Sequence, residues 1–128
     1  ILFEDCISIE RIEEDVFREC ENVDSFHSAF ANCSMLKHVP VNLFAWSPKV
    51  KDFIQCFDGC ISFKEGCLRI ESELVAEAYS FLPRNPAAGI ESLSRSIFIS
   101  VPAETKTYDA FSRIAVGADW YVMTYAID

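Results

Sequence analysis

The stretch Ser8–Leu36, SIERIEEDVFRECENVDSFHSAFANCSML, decides how the amino-terminal part of the chain is read. Ile9, Ile12, Val16, Phe17 and Cys20 recur at helical spacing, with Glu10, Arg11, Glu13, Glu14 and Asp15 between them. Such intervals place apolar side chains in one stripe of an α-helix. Ser8 suits an N-cap, and the early glutamates suit the positive helix end. A second pattern follows in Val23, Phe26, Phe30, Cys33 and Leu36, with Asn22 or Asp24 to start it and Pro40 to stop it. The short link between the two predicts an antiparallel helical hairpin over residues 1–40.

Outward from there, residues 41–58 read as loop or mixed structure. Pro48 interrupts them, and Lys49–Cys56 can form one or two helical turns. Ile61–Phe63 reads as a short strand, Lys64-Glu65-Gly66 as a turn and Cys67–Glu71 as a second strand. Leu74–Leu82 fits either a strand or a short helix, and Pro83–Gly89 a loop. Ser96–Val101 alternates as a strand does. Thr107–Val116, with Tyr108, Phe111 and Ile114, is read with the same β character, and Gly117-Ala118 as a tight connection. Asp119–Ile127 is the strongest strand. Tyr121, Met123, Tyr125 and Ile127 share one face, and Trp120, Val122, Thr124 and Ala126 the other. Both faces are apolar, as in a strand buried on two sides or lining a lipophilic cavity. No internal repeat is read.

At 128 residues the chain suits one domain, and with 51% hydrophobic residues it can bury a core. No stretch reaches the roughly 18–20 apolar residues of a membrane span, and nothing at Ile1 resembles a targeting leader. A net charge of −9 repels phosphate backbones, so nucleic acid is not an expected partner.

The six cysteines, Cys6, Cys20, Cys33, Cys56, Cys60 and Cys67, lie in the first half without the paired spacing of a zinc site. The reading is a disulfide framework formed in an oxidising compartment. In the hairpin, Cys6 and Cys33 share one end. Cys20 lies about 20 Å away at about 1.5 Å per residue. Cys6–Cys33 is therefore a feasible pair and Cys6–Cys20 is not, leaving Cys20 for Cys56, Cys60 or Cys67.

Tyr108-Asp109-Ala110-Phe111 followed by Asp119-Trp120-Tyr121-Val122 resembles a strand–turn–strand of the violaxanthin de-epoxidases. Phe57-Asp58 with Cys60 and Phe63 is similar to that family's Phe-Asp-Cys segment. Ala29-Phe30-Ala31-Asn32-Cys33 through Val39-Pro40 resembles the end of its cysteine-rich helical region. The matches cover about half the chain. The family's Gly-x-Trp is absent around Trp46, and the chain has fewer strands than the about eight that close such a barrel.

The resemblance implies an α+β fold: a disulfide-bonded helical hairpin over residues 1–40, then an antiparallel, lipocalin-like partial β-barrel over residues 41–128. It implies a thylakoid-lumen setting in the chloroplast and chemistry in which a carboxylic acid protonates a xanthophyll epoxide. The acid's position is held by Ala118, which has no proton to give. The expectation is thus a non-catalytic structural or binding subunit of a photosystem or antenna membrane complex. Asp119 and Asp109 are weak catalytic candidates. Tyr108, Phe111, Trp120, Tyr121 and Tyr125 are the expected ligand or partner surface. No cofactor is expected beyond a carotenoid or other lipophile, and no metal. The alternatives are an active xanthophyll de-epoxidase, a lipophile carrier, or an unrelated secreted disulfide-rich binding domain.

Overall fold

The computed structural model describes residues 3–83, 96–116 and 118–127. Its regular elements are β1 (Glu65–Arg69), β2 (Ser96–Pro102), α1 (Lys106–Ala115) and β3 (Tyr121–Tyr125). They form one open sheet in the order β1-β2-β3, and both pairings are parallel. Among the described residues the expected antiparallel barrel is not formed.

The helical hairpin is not formed either. Residues 3–63 are largely a train of tight turns, many closed by a bond from an N–H to the carbonyl three residues before it. Ile9 bonds to Cys6, Cys20 to Phe17, Val23 to Cys20, Cys33 to Phe30 and Leu36 to Cys33 in this way. Consecutive turns place apolar residues about every three positions, which imitates a helical stripe. Other backbone groups bond across to another part of the chain. Phe26 and Ser28 donate to Asp52 and Ile54, at 2.9 Å each. Phe53 and Gln55 donate in turn to Glu77 and Tyr79, at 2.9 and 2.8 Å.

These bonds stack the chain in coils. The sequence carries the period: Phe3-Glu4-Asp5-Cys6, Phe30-Ala31-Asn32-Cys33 and Phe57-Asp58-Gly59-Cys60 are copies of one turn. Successive copies lie 27 residues apart, the separation of the bonded pair Asn32 and Asp5. A self-similar period of this length is the signature of a solenoid, in which each coil buries its apolar edge against its neighbours.

The parallel sheet is one wall of the stack. Its coil-to-coil pairing continues past β1 in isolated parallel bridges, Phe44 to Ile70 and Arg11 to His38. Inside the stack the phenylalanines form ladders. Phe3 stacks on Phe30 at 5.1 Å, and Phe30 on Phe57 at 5.3 Å, with planes within 5°. Phe81 meets Phe57 edge-on at 5.4 Å, and Phe111 meets Phe81 at 5.0 Å. Nine of the eleven phenylalanines are fully buried. One continuous apolar cluster runs from Ile12 to Trp120.

The last coil replaces the Phe-x-x-Cys turn with α1. Thr105 caps it, its hydroxyl accepting from the Tyr108 N–H at 3.2 Å. Thr107, Ala110 and Phe111 face the core at helical spacing. The β reading of Thr107–Val116 is therefore corrected. The strand reading at Ser96–Val101 falls within β2, and the one at Asp119–Ile127 contains the shorter β3. Cys67–Glu71 overlaps β1, while Lys64-Glu65-Gly66 partly belongs to it and Ile61–Phe63 is a turn and extended link. Lys49–Cys56 forms a bridge and turns rather than helix, and Leu74–Leu82 carries only the bridge at Glu77. Most of the Pro83–Gly89 loop, and Gly117 of the tight connection, lie outside the described residues.

All six cysteines are free, so the disulfide framework is overturned. In its place Cys33 Sγ donates to the Phe3 carbonyl and Cys60 Sγ to the Phe30 carbonyl, each at 3.0 Å. The thiols tie coil to coil as hydrogen-bond donors.

Candidate binding face

Alternation along the strands divides the sheet. Leu68, Ile97, Ile99 and Val101 point into the core and are fully buried. The intervening residues form the outer face. The register places Cys67, Phe98 and Tyr121 in one row, and Arg69, Ser100 and Met123 in the next. Phe98 is 39% exposed, Tyr121 57% and Met123 48%. The Phe98 and Tyr121 rings stack across the strands at 5.3 Å and 25°. This contact forms on the solvent side, in a protein that buries nearly all its other phenylalanines.

One margin of the patch is fixed. The Arg69 guanidinium lies 3.7 Å from the centre of the Tyr125 ring, a cation–π contact. Arg69 Nε is also 3.7 Å from Glu71 Oε2. The Tyr125 hydroxyl donates to the Ile70 carbonyl at 2.6 Å. Burial raises the Tyr125 phenol, and the nearby Glu71 raises it further, so it remains a neutral donor. Further along the same wall the face becomes polar. A groove of about 350 Å³ is lined by Arg11, Glu13, Lys37, His38 and Glu65 together with Ile12, Val39 and Pro40.

The five aromatic residues expected to form a binding surface do not act together. Tyr121 and Tyr125 are on the outer face of β3. Phe111 is fully buried and Trp120 nearly so. Tyr108 is partly exposed on α1, whose buried side packs into the core beneath the sheet. Phe98 and Met123 belong to the patch and were not among the five. Their signal was alternation: Phe98 is out of phase with Ile97 and Ile99, and Met123 is in phase with Tyr121.

Of the acid candidates, Asp109 is exposed in the first turn of α1 and Asp119 is half-buried at the entry to β3. Ala118 lies in the turn after α1, its N–H bonded to the Ala115 carbonyl at 3.0 Å. The three buried cysteines, Cys33, Cys56 and Cys60, offer no activated thiolate. Burial raises Cys33 and drives Cys56 well above the ordinary thiol value; it lifts Cys60 to about 12, with the nearby Cys33 adding to the shift. Thiols held protonated in this way are poor nucleophiles. Among the described residues no group of three or more His, Cys, Asp or Glu is placed to hold a metal ion. Among the same residues no helix is long and apolar enough to cross a membrane.

Fold and face together define a class: a small coil-stacked solenoid with a parallel-sheet wall and an aromatic patch on that wall. Comparison of the chain with protein-family models, with curated proteins and with solved structures finds no match in any of the three.

Proposed function

We propose that this chain is a non-catalytic binding module whose working surface is the outer face of the β2–β3 sheet, and whose partner is another polypeptide. One observation carries the reading. Phe98, Tyr121 and Met123 stand together in solvent on the paired strands β2 and β3, with the Phe98 and Tyr121 rings stacked across them at 5.3 Å. Contiguous exposed aromatic and thioether groups on a rigid sheet have the character of an interface core. Tyrosine and methionine are favoured there because they bring large contact area. Arg69, held by Tyr125 and Glu71, supplies a charged rim with little freedom left to lose.

The binding half of the sequence reading is kept in this proposal. Its barrel is not, because the patch lies on the outer face of an open three-stranded sheet. A photosynthetic complex as partner, and a lumenal setting, are carried by the resemblance alone. The net charge of −9 favours a partner with a basic rim.

The test is affinity capture from an extract of the source cells, comparing the wild type with a Tyr121→Asp/Met123→Asp double variant. Tyr108→Asp, on α1, is the control. Partners held by the wild type and the control but released by the double variant support the face. Equal capture by all three proteins sinks the proposal.

A further inference from the structure

The two ends of the coil stack differ. In the second and third coils the apolar positions of the repeat are sealed: Phe30, Phe57, Cys33, Cys60, Leu36 and Val50 are all 0% exposed. Their first-coil counterparts Phe3, Cys6, Ile9 and Val23 are only partly buried, although they are the same or similar residues at the same places in the repeat. The second coil packs against them, with Cys33 Sγ donating to the Phe3 carbonyl at 3.0 Å, and Phe17 lies tilted beside Phe3 at 6.4 Å. Phe3 stacks on Phe30 through one ring face. Terminal coils that act as caps carry a polar outer face. The first coil instead repeats an interior pattern.

We infer that the first-coil end is an assembly surface for one more coil of the same type: a polypeptide turn carrying Phe-x-x-Cys, stacked in register with Phe3 and Cys6. The argument is continuity with the interface that already joins the first three coils. The added coil would place its phenylalanine on Phe3, and its carbonyl would accept from Cys6 Sγ as Phe3 does from Cys33. A second folded copy of this chain is the poorer occupant. The opposite end of the stack presents α1 and β3 in place of that turn, and two first-coil ends face to face would oppose the parallel ladder.

The experiment supplies such a coil. A duplicate of residues 28–54 joined directly ahead of Ile1 puts its phenylalanine and cysteine 27 positions before Phe3 and Cys6, the separation seen between Asn32 and Asp5. Native-state alkylation with iodoacetamide is read at Cys6 by peptide mass spectrometry, with the half-buried Cys67 as internal reference. Relative to Cys67, the fused coil should slow Cys6 about tenfold or more, because its exchange with reagent then needs local opening. The same fusion with Phe30→Asp and Leu36→Asp in the duplicate should give no protection. Cys6 equally reactive in parent and both fusions, or a duplicate that remains protease-sensitive, overturns the proposal. So does a parent chain that sediments as a dimer with Cys6 already protected, since the occupant is then a second copy.

Discussion

Cys60 Sγ donates to the carbonyl of Phe30 in the neighbouring coil at 3.0 Å, and neither residue is exposed. The bond explains why a cysteine sits at this turn. A buried carbonyl needs a donor, the space beside the ladder is small, and a thiol fills it as an apolar group while still offering a proton. The thiol must stay protonated to do so. Burial lifts its pKa from 9.0 to about 12, whereas in the unfolded chain it ionises near its ordinary value. The sign follows from linkage: the unfolded chain loses this proton first, so the contribution is complete below pH 9.0 and is lost as pH rises toward about 12. Cys33 and Cys56 shift in the same direction. Urea midpoints measured across this window should fall with pH in the wild type and fall less steeply in Cys60→Ala. Parallel curves would remove the thiol from the explanation. At neutral pH Cys60→Ala should cost about 1–3 kcal/mol for the orphaned carbonyl.

The middle residue of the same turn makes the second prediction. Gly59 has φ +78, and Asp5 and Asn32, its counterparts, have φ 63 each. Aspartate and asparagine tolerate this left-handed region better than other side chains. Asn32 can therefore occupy it and reach Asp5 Oδ1 with its Nδ2 at 3.0 Å. At Gly59 there is no room for the same solution. An added Cβ would overlap Asn32 Oδ1 and lie 3.0 Å from Asn32 Cα. Gly59→Ala should destabilise by about 1–3 kcal/mol through strain and displacement of Asn32. Gly59→Ala combined with Asn32→Ala should recover part of the loss in the same denaturation assay, because the Oδ1 overlap is gone.

Phe30 lies between two parallel rings, 5.1 Å from Phe3 and 5.3 Å from Phe57. Removing it opens a gap on both sides that a rigid stack closes poorly. Phe30→Ala should cost about 3–5 kcal/mol, in the range of a buried aromatic deletion. Phe3→Ala should cost clearly less, since that ring is only partly buried and is stacked on one face alone. Equal losses in thermal or chemical denaturation would mean that the ladder is not the unit of stability.

How much of this was legible in the sequence can be argued from the same residues. The strands β2 and β3 were visible because Ile97, Ile99 and Val101, and then Tyr121, Met123 and Tyr125, alternate without interruption. The coils were missed because tight turns space Ile9, Ile12 and Cys20 about as a helix does. The decisive clue was longer in range. Phe30…Cys33 and Phe57…Cys60 resemble two landmarks of a family, whereas with Phe3…Cys6 they are three copies of one turn. Comparing the sequence with itself at a shift of 27 residues would have shown this, by the separation of Asp5 and Asn32. Even cysteine number suggested disulfides, but a repeat multiplies its thiols without pairing them. For α1, the N-cap Thr105 and the spacing of Thr107, Ala110 and Phe111 were present but outweighed by the β-branched and aromatic content around them. Of the outer face, Tyr121 and Tyr125 were found, and Phe98 was overlooked because an apolar residue in a strand is normally assigned inward.

The last prediction concerns how α1 is fastened to the coils. Thr107 is fully buried, and its Oγ1 donates to the Ser72 carbonyl at 2.7 Å and accepts from the Val75 N–H at 3.0 Å. Ser72 in turn donates its hydroxyl to the Val50 carbonyl at 2.5 Å. A polar chain thus runs from α1 through the third coil to the second, inside a largely apolar stack. Thr107→Val keeps the shape and removes both bonds, leaving a buried donor and a buried acceptor unpaired. Each such orphan costs about 1–3 kcal/mol, so the variant should lose more than a typical surface change, while Thr107→Ser should lose less. Because the relay joins α1 to the coils, hydrogen exchange in Thr107→Val should accelerate at Val75 and along α1 before the Phe30 and Phe57 amides respond. Uniform acceleration across all of them would show that α1 and the coils open as one unit, with no special role for the relay.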